Sequence, residues 1–326
     1  MIDRDLIRHA LARPLEGTSL DELGRKYTGK VRDNYTSNDG RRYIVTTDRI
    51  SAFDRVLGTL PLKGQVLQYV TKFWFEQTQD IVPSHLISTP DPNVMVVKEC
   101  EPLGAEMVVR AYITGVTGTS LWTHYSRGDR LFCGHELPDG LRKDQKLEAP
   151  ILTPSSKAPK GEHDVSMSRA ELIEGGYISA EDFDVAAELA MALFTFGQKH
   201  CAQQGLILVD TKYEFGKDVD GNMCVIDEIH TPDSSRYWFA KSYEERFERG
   251  LAPESFDKEY VRRWLAEEGF TGDGDVPVIP DDVRVEAVAR YIAACDTITG
   301  DSFEPDLTEA DARIRANLGL SGPAAQ

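Results

Sequence analysis

Residues 205–236 read GLILVDTKYEFGKDVDGNMCVIDEIHTPDSSR, and this stretch decides the fold. Residues 207–215 and 223–229 are rich in β-branched and aromatic side chains, the composition of two strands. Between them lies Asp218-Val219-Asp220-Gly221-Asn222. Asp-Gly is a strong hairpin signal, because both central positions of a type I′ turn need positive φ. With Asp220-Gly221 as a two-residue loop, paired positions sum to 441 and Glu214 faces Asp227.

Strand side chains alternate between faces. Asp210, Lys212 and Glu214 therefore share one face, and Asp227 joins them across the ladder. Ile207, Val209, Tyr213 and Phe215 fill the other, with Ile226 opposite Phe215. Opposed like charges destabilise a strand pair, so a cation is expected between Glu214 and Asp227. Carboxylate oxygens suit Mg²⁺ that bridges substrate phosphates. The competing reading is a solvated face with a Lys–Glu pair. A one-residue slip in the turn would undo the geometry.

Composition narrows the classes. At 326 residues and 41% hydrophobic, the chain can bury a large core as one sizeable domain or two intimate lobes. A net charge of −17 argues against nucleic acid and against an anionic membrane surface as partners. An anionic substrate would need a local pocket of Lys and Arg. The cysteines Cys100, Cys133, Cys201, Cys224 and Cys295 show no metal-binding spacing, and reduced thiols in the cytoplasm are the plain expectation. No run approaches the ~20 apolar residues of a membrane span, and the start of the chain has no apolar signal region.

Along the chain, residues 25–47 read as a β-meander whose first turn, TGKVRD, holds a glycine and two cations. Glycine lets a backbone approach phosphate closely, and Lys30 or Arg32 could neutralise it; a solvated basic hairpin is the alternative. Residues 46–54 form a polar loop suited to a binding site, or an Asx-type turn with a surface ion pair. Residues 63–81 read as a helix. Residues 99–105 look like a link between a mainly β lobe and a larger second lobe. Arg110 interrupts the apolar strand at 106–113 and needs an anionic partner from protein or ligand. The hydroxyls of residues 115–120 lead into a helix start, as an anion seat or as plain capping. Residues 137–168 read as a long irregular loop in which Lys157, His163 and Asp164 could cover a site. Amphipathic helices are expected at 180–204, 241–249, 258–268, 282–297 and 307–318.

Several separated segments occur together in one family: GKVRD (29–33), TDRISAFD (47–54), LPLKG (60–64), VVRAYITG (108–115), LTPSSKA (152–158), VDTKYEFG (209–216), IDE (226–228) and PDSSR (232–236). From about residue 20 to about 300 the chain resembles the SAICAR synthetase (phosphoribosylaminoimidazole-succinocarboxamide synthase) family. The resemblance implies an α+β fold of two lobes, an antiparallel β lobe at 1–104 and a larger α+β lobe with C-terminal helices at 105–326, with ATP in the cleft. It also implies a cytoplasmic ATP-dependent ligase of purine biosynthesis, a monomer or small homo-oligomer. Such an enzyme joins carboxyaminoimidazole ribonucleotide (CAIR) to L-aspartate through an acyl phosphate, with Mg²⁺.

Residue by residue, the resemblance puts Gly29, Lys30, Val31, Arg32, Glu101 and Leu103 at ATP, and the metal on Glu214 and Asp227. CAIR or aspartate falls to Ser51, Asp54, Glu106, Arg110, Ser120, Ser235 and Arg236, with Asp210 and Lys212 orienting the reactants. Many members carry serine where this chain has Val116, which leaves the hydroxyl there to Thr117, Thr119 or Ser120. Two rival functions are a small-molecule kinase on a similar scaffold and a nucleotide-binding regulator without turnover.

Overall fold

The computed structural model describes residues 3–52, 55–157, 164–256, 259–270, 272 and 274–320. They fall into two compact units, one of Met1–Phe75, His85–Glu99 and Phe256–Gln326, the other of Glu76–Ser84 and Cys100–Ser255.

The first unit opens with α1 (Arg4–Ala10), followed by β1 (Arg25–Thr28), β2 (Arg32–Thr36) and β3 (Arg41–Thr46). A small hairpin of β4 (Arg49–Ala52) and β5 (Arg55–Thr59) precedes α2 (Lys63–Gln77), β6 (Leu86–Asp91) and β7 (Val94–Lys98). The sheet order is β1-β2-β3-β7-β6, antiparallel throughout. Leu15, Leu20, Tyr35, Val45, Val94 and Ile314 close a core against it.

The second unit starts with β8 (Glu101–Ile113), α3 (Leu121–Ser126), β9 (Leu131–Phe132), β10 (His135–Glu136), β11 (Gln145–Leu152) and β12 (Ser155–Ser156). It continues with α4 (Arg169–Glu174), α5 (Ala180–Gln203), β13 (Leu206–Lys217), β14 (Met223–Ile226), β15 (Ser235–Phe239) and α6 (Ala240–Glu248). Strands β8 and β13 lie at the centre of a six-stranded antiparallel sheet, with β11 and β12 on β8 and with β14 and β15 on β13. Helix α5 is capped by Ser179 and buries Phe183, Ala186, Ala190, Leu193, Phe194 and Gly197. The chain then returns to the first unit with α7 (Glu259–Glu267), α8 (Asp281–Thr299) and α9 (Ala310–Asn317). None of the described helices is long and apolar enough to cross a membrane.

Four expectations change. The division at residue 104 gives way to one between Glu99 and Cys100, because residues 101–105 continue strand β8 rather than forming a link. Residues 256–326 group with the first unit and not the second. Ion pairs tie them there: Arg4 to Glu286, and Arg313, which is buried, to Asp91 at 3.0 Å. Amphipathicity marks an inward face but not the surface it returns to. The expected loop at 137–168 contains β11 and β12, which pair with β8 through Ile151↔Arg110 and Ser155↔Glu106.

The fourth change is the hairpin register. Phe215 pairs with Val225, and Glu214 pairs with Ile226 rather than with Asp227. Asp218 N–H donates to Asn222 O at 3.0 Å and Gly221 N–H to Asp218 O at 2.9 Å, so the loop has three residues, 219–221. Gly221 takes a left-handed φ of 82°, the pattern of a type I turn closed by a left-handed residue. The Asp218 carboxylate selects it by accepting from the N–H groups of Asp220 and Asn222 at 3.1 and 2.9 Å.

Left-handed backbone costs a residue with a Cβ about 1–2 kcal/mol. Gly221→Val should therefore lower the unfolding free energy in a urea titration by about that amount, with the secondary structure kept. An unchanged midpoint would mean that the loop is not of this type.

Candidate active site

Strand β13 sets the site, because both of its neighbours present matching residues to one face. Asp210 is the register partner of Arg110 on β8 and of Arg236 on β15. Two residues on, Lys212 lies opposite Val108, and Glu214 lies opposite Glu106. Alternation gives that face an Arg–Asp–Arg row and an acid–acid row, with Lys212 between them.

The acid row holds the opposed like charges that the sequence suggested, but the partner is Glu106. Both carboxylates are largely buried, with side chains 13% exposed for Glu214 and 9% for Glu106. The cation between them is Lys212, whose Nζ donates to Glu106 Oε1 at 2.6 Å and to Glu214 Oε1. Lys157 Nζ donates to the second oxygen of Glu214. Ser155 Oγ lies 3.5 Å from Glu106 Oε2.

The two acids differ in proton affinity. Burial pushes the Glu106 carboxyl up to about 7, aided by the charge on Glu214 and opposed by Lys212. Burial works against ionisation of Glu214 too, but Lys212 and Lys157 outweigh it and hold that carboxyl well below the usual range. Burial disfavours the Lys212 ammonium, yet Glu214, Glu106 and Asp227 together raise its proton affinity well above the ordinary lysine value.

In the arginine row, Arg236 Nη1 donates to Asp210 Oδ2, and Arg110 Nη1 lies 3.4 Å from the same oxygen. The partner that buried Arg110 required is thus a protein carboxylate. Arg110 is further fixed by Thr153 Oγ1 at 2.8 Å and Thr119 O at 3.2 Å. Burial lowers its proton affinity, against the attraction of Asp210 and with the repulsion of Arg236. Two guanidinium groups thus share one carboxylate, and their planar forks match the geometry of carboxylate or phosphate.

Asp227 follows the end of β14 with a left-handed φ of 65°, and its charge acts on Lys212. Among the described residues no group of three His, Cys, Asp or Glu side chains is placed to hold a metal. The donors still suit Mg²⁺, which is commonly held by one or two carboxylates plus substrate phosphates. Glu214, kept ionised by its lysines, and Asp227 are carboxylates that could serve in this way.

Ser120 Oγ accepts from Thr117 N–H at 3.0 Å and lies 2.8 Å from Thr117 Oγ1, so it makes no hydrogen bond to the helix it precedes. A Cβ on Gly115 would fall 2.3 Å from that hydroxyl and 3.2 Å from Arg236 Nη2, so glycine lets the two approach. Val116 is exposed. Ser235 faces away from Arg236, donating to Thr211 Oγ1 at 2.7 Å on the opposite face. At the start of β8, Glu101 is exposed opposite Lys217, and Leu103 is buried.

In the first unit, Gly29 N–H donates to Arg32 O at 2.8 Å and closes the turn holding Lys30 and Val31. Ser51 is half-buried on β4, opposite Val56. Asp48, from the same polar segment, is structural: it accepts from the N–H groups of Leu15 at 2.8 Å and Gly64 at 2.9 Å, and burial pushes its carboxyl up to about 6. Asp54 and His163 lie outside the described residues. Sequence reasoning gave no role to Thr153 or Ser155 and only a covering role to Lys157. All three belong to the LTPSSKA segment, which was the available signal.

Comparison with known proteins shows the family. Residues 25–277 match the SAICAR synthetase family. The Legionella pneumophila phosphoribosylaminoimidazole-succinocarboxamide synthase is 49% identical over 293 residues, covering 90% of this chain and 93% of that one. The chloroplastic enzyme of Arabidopsis thaliana is 49% identical over 303 residues, 91% and 73% respectively. The structure of Saccharomyces cerevisiae SAICAR synthase complexed with SAICAR superposes with a TM-score of 0.77 at 30% identity, over 89% of this chain and 100% of that one. These likenesses put the chain among the ATP-dependent carbon–nitrogen ligases. It belongs to the SAICAR synthetase family.

The raised Glu106 carboxyl has a thermodynamic consequence. A folded state that favours the protonated acid gains stability fully below the ordinary value of 4.5, and loses it as pH rises through about 7. In metal-free buffer, the unfolding free energy of the native protein should therefore fall across that window relative to Glu106→Gln. Parallel urea-derived profiles would show that Glu106 titrates normally.

Proposed function

We propose how this chain carries out the ligation that its family defines. The reaction consumes ATP to condense CAIR with L-aspartate, giving SAICAR, ADP and phosphate in purine biosynthesis. A carboxylate does not react with an amine at neutral pH, because oxide is a poor leaving group. The γ-phosphoryl of ATP first passes to a CAIR carboxylate oxygen, releasing ADP. The aspartate amine then attacks the acyl carbon, the bond to the phosphorylated oxygen breaks, and phosphate departs as the amine loses its proton. Most of the catalytic work is positioning and charge neutralisation, and holding reactants in attack geometry is worth roughly 7–11 kcal/mol.

On this reading Arg110 and Arg236 take the CAIR phosphate, with Ser120 beside Arg236. Asp210, which holds both guanidinium groups, keeps them aligned and is one candidate to accept the amine proton. Lys212 and Glu106 orient the reacting carboxylate or aspartate. The turn of Gly29, Lys30, Val31 and Arg32 takes the triphosphate, Glu101 and Leu103 contact the nucleotide, and Ser51 and Asp54 line the CAIR side. Glu214 and Asp227 would hold Mg²⁺, which supplies electrostatic stabilisation of charge on the transferring phosphoryl group. Ser235 supports the site from behind through Thr211. A cytoplasmic location suits the five free cysteines.

The observation that carries the reading is the shared Asp210 between two arginines beside a lysine-neutralised acid pair. It gathers cations on one sheet face of a chain whose net charge is −17, as two anionic substrates and ATP require.

Glu214→Gln and Asp227→Asn should each cut turnover by roughly 100-fold or more, with the circular dichroism spectrum unchanged. Near-normal rates in both would end the metal assignment. Arg110→Ala should raise KM for CAIR roughly 10- to 100-fold and leave KM for ATP much less affected. Sustained turnover to ADP should require CAIR and aspartate together, because without aspartate the acyl phosphate is not consumed. Sustained ADP production without aspartate would indicate a kinase, and binding without turnover a regulator.

A further inference from the structure

The turn at residues 29–32 has four successive carbonyls tied into the protein. Gly29 O accepts from Arg49 Nη2 at 3.1 Å, and Lys30 O from Arg49 Nε at 3.0 Å. Val31 O accepts from Thr47 N–H at 3.0 Å and from Thr47 Oγ1 at 2.8 Å. Arg32 O takes the Gly29 N–H at 2.8 Å. In a trans peptide the N–H points opposite to the C=O. With the Gly29 and Lys30 carbonyls turned toward Arg49, the N–H groups of Lys30 and Val31 lie on the far side of the same peptide planes. That orientation suits an anion, because the negative ends of the peptide dipoles are turned away from it.

Arg49 is itself locked. Its Nη2 donates to Asp33 Oδ1 at 2.9 Å and its Nη1 to Glu16 O. Asp33 is fully buried and also takes the Thr18 N–H at 2.8 Å and Lys26 Nζ at 3.0 Å. Burial resists ionisation of Asp33, but Thr18, Lys26 and Arg49 outweigh it and lower its proton affinity. The planar guanidinium joins three segments, at 16–18, 29–33 and 47–49, through one fixed fork. A lysine ammonium has the charge but not the fork.

We propose that Arg49 is the positioning residue of the phosphate turn: it sets nucleotide affinity by orienting the Gly29 and Lys30 peptides, without touching the nucleotide. The inference rests on the assignment of that turn to the ATP triphosphate.

The test compares Arg49→Lys, Arg49→Met and Lys30→Met with the native enzyme, using the Kd of ADP by equilibrium dialysis and the KM of each substrate. Both Arg49 variants should weaken ADP and raise KM for ATP by about tenfold, the scale of two lost hydrogen bonds. Their kcat at saturating ATP and their KM for CAIR should stay within about twofold. Arg49→Lys should rescue little. If Lys30→Met weakens ADP but both Arg49 variants bind it normally, the positioning role is wrong and the turn assignment stands. If Lys30→Met also binds ADP normally, the turn assignment fails and the inference with it. A parallel rise in every KM with a fall in kcat would mean that Arg49 only supports the fold. Should Arg49→Met not fold, Arg49→Lys decides alone.

Discussion

Lys212 holds the central pairing of the second unit together. Strands β8 and β13 bring Glu106 and Glu214 into direct register, largely buried. Two carboxylates so placed would repel each other and resist desolvation, and like charges in register oppose strand pairing. One ammonium within hydrogen-bond reach of both removes the conflict. The arrangement is asymmetric in its consequences. Deleting one member of a buried ion pair leaves an uncompensated charge, which typically costs about 3–5 kcal/mol. The sheet and the charge pattern of the site therefore cannot vary independently.

The same strand repeats this solution at Asp210, with signs reversed. There one carboxylate compensates two guanidinium groups. Both clusters are fixed by register rather than by loops, so their charged groups are preorganised on a rigid sheet. The acid row titrates unequally, with Glu106 drawn toward neutrality and Glu214 held ionised. Two carboxyls whose environments push them apart can take different parts in one reaction, one as a fixed negative charge and one as a proton carrier.

How much of this was legible depended on distance along the chain. Period-two alternation placed Asp210, Lys212 and Glu214 on one face, and an arginine inside an apolar strand marked Arg110. The α+β class and the hairpin were equally plain. Glu106 as the acid facing Glu214 was not, because nothing local announces a register partner about a hundred residues upstream. Strand β11 was missed because its polar, proline-containing sequence takes its pairing from β8. Asp-Gly signalled a turn but not its length; the side chain of Asp218, one position before the loop, decided between two residues and three. Arg49 was read as part of a polar loop, since its partners at 16 and 29–33 lie in other segments.

The slipped register raises the question of how Asp227 still acts on Lys212. In a continued strand it would stand opposite Tyr213, on the core side. Its left-handed φ of 65° comes directly after Ile226, the last residue of β14, and its charge still acts on Lys212. Such backbone costs about 1–2 kcal/mol and persists only where the surroundings over-determine it. Three residues on, His230 is also left-handed, with φ 52°. Its Nε2 meets Tyr213 Oη at 2.5 Å, Tyr237 Oη donates to its carbonyl, and burial lowers the imidazole to about 3, so the ring is neutral. Helix α5 makes room for it at Gly197, where a Cβ would fall 2.4 Å from His230 Cε1. A glycine in a helix, chosen against helix propensity, thus makes room for a buried histidine that Tyr213 and Tyr237 hold on the core side of the sheet.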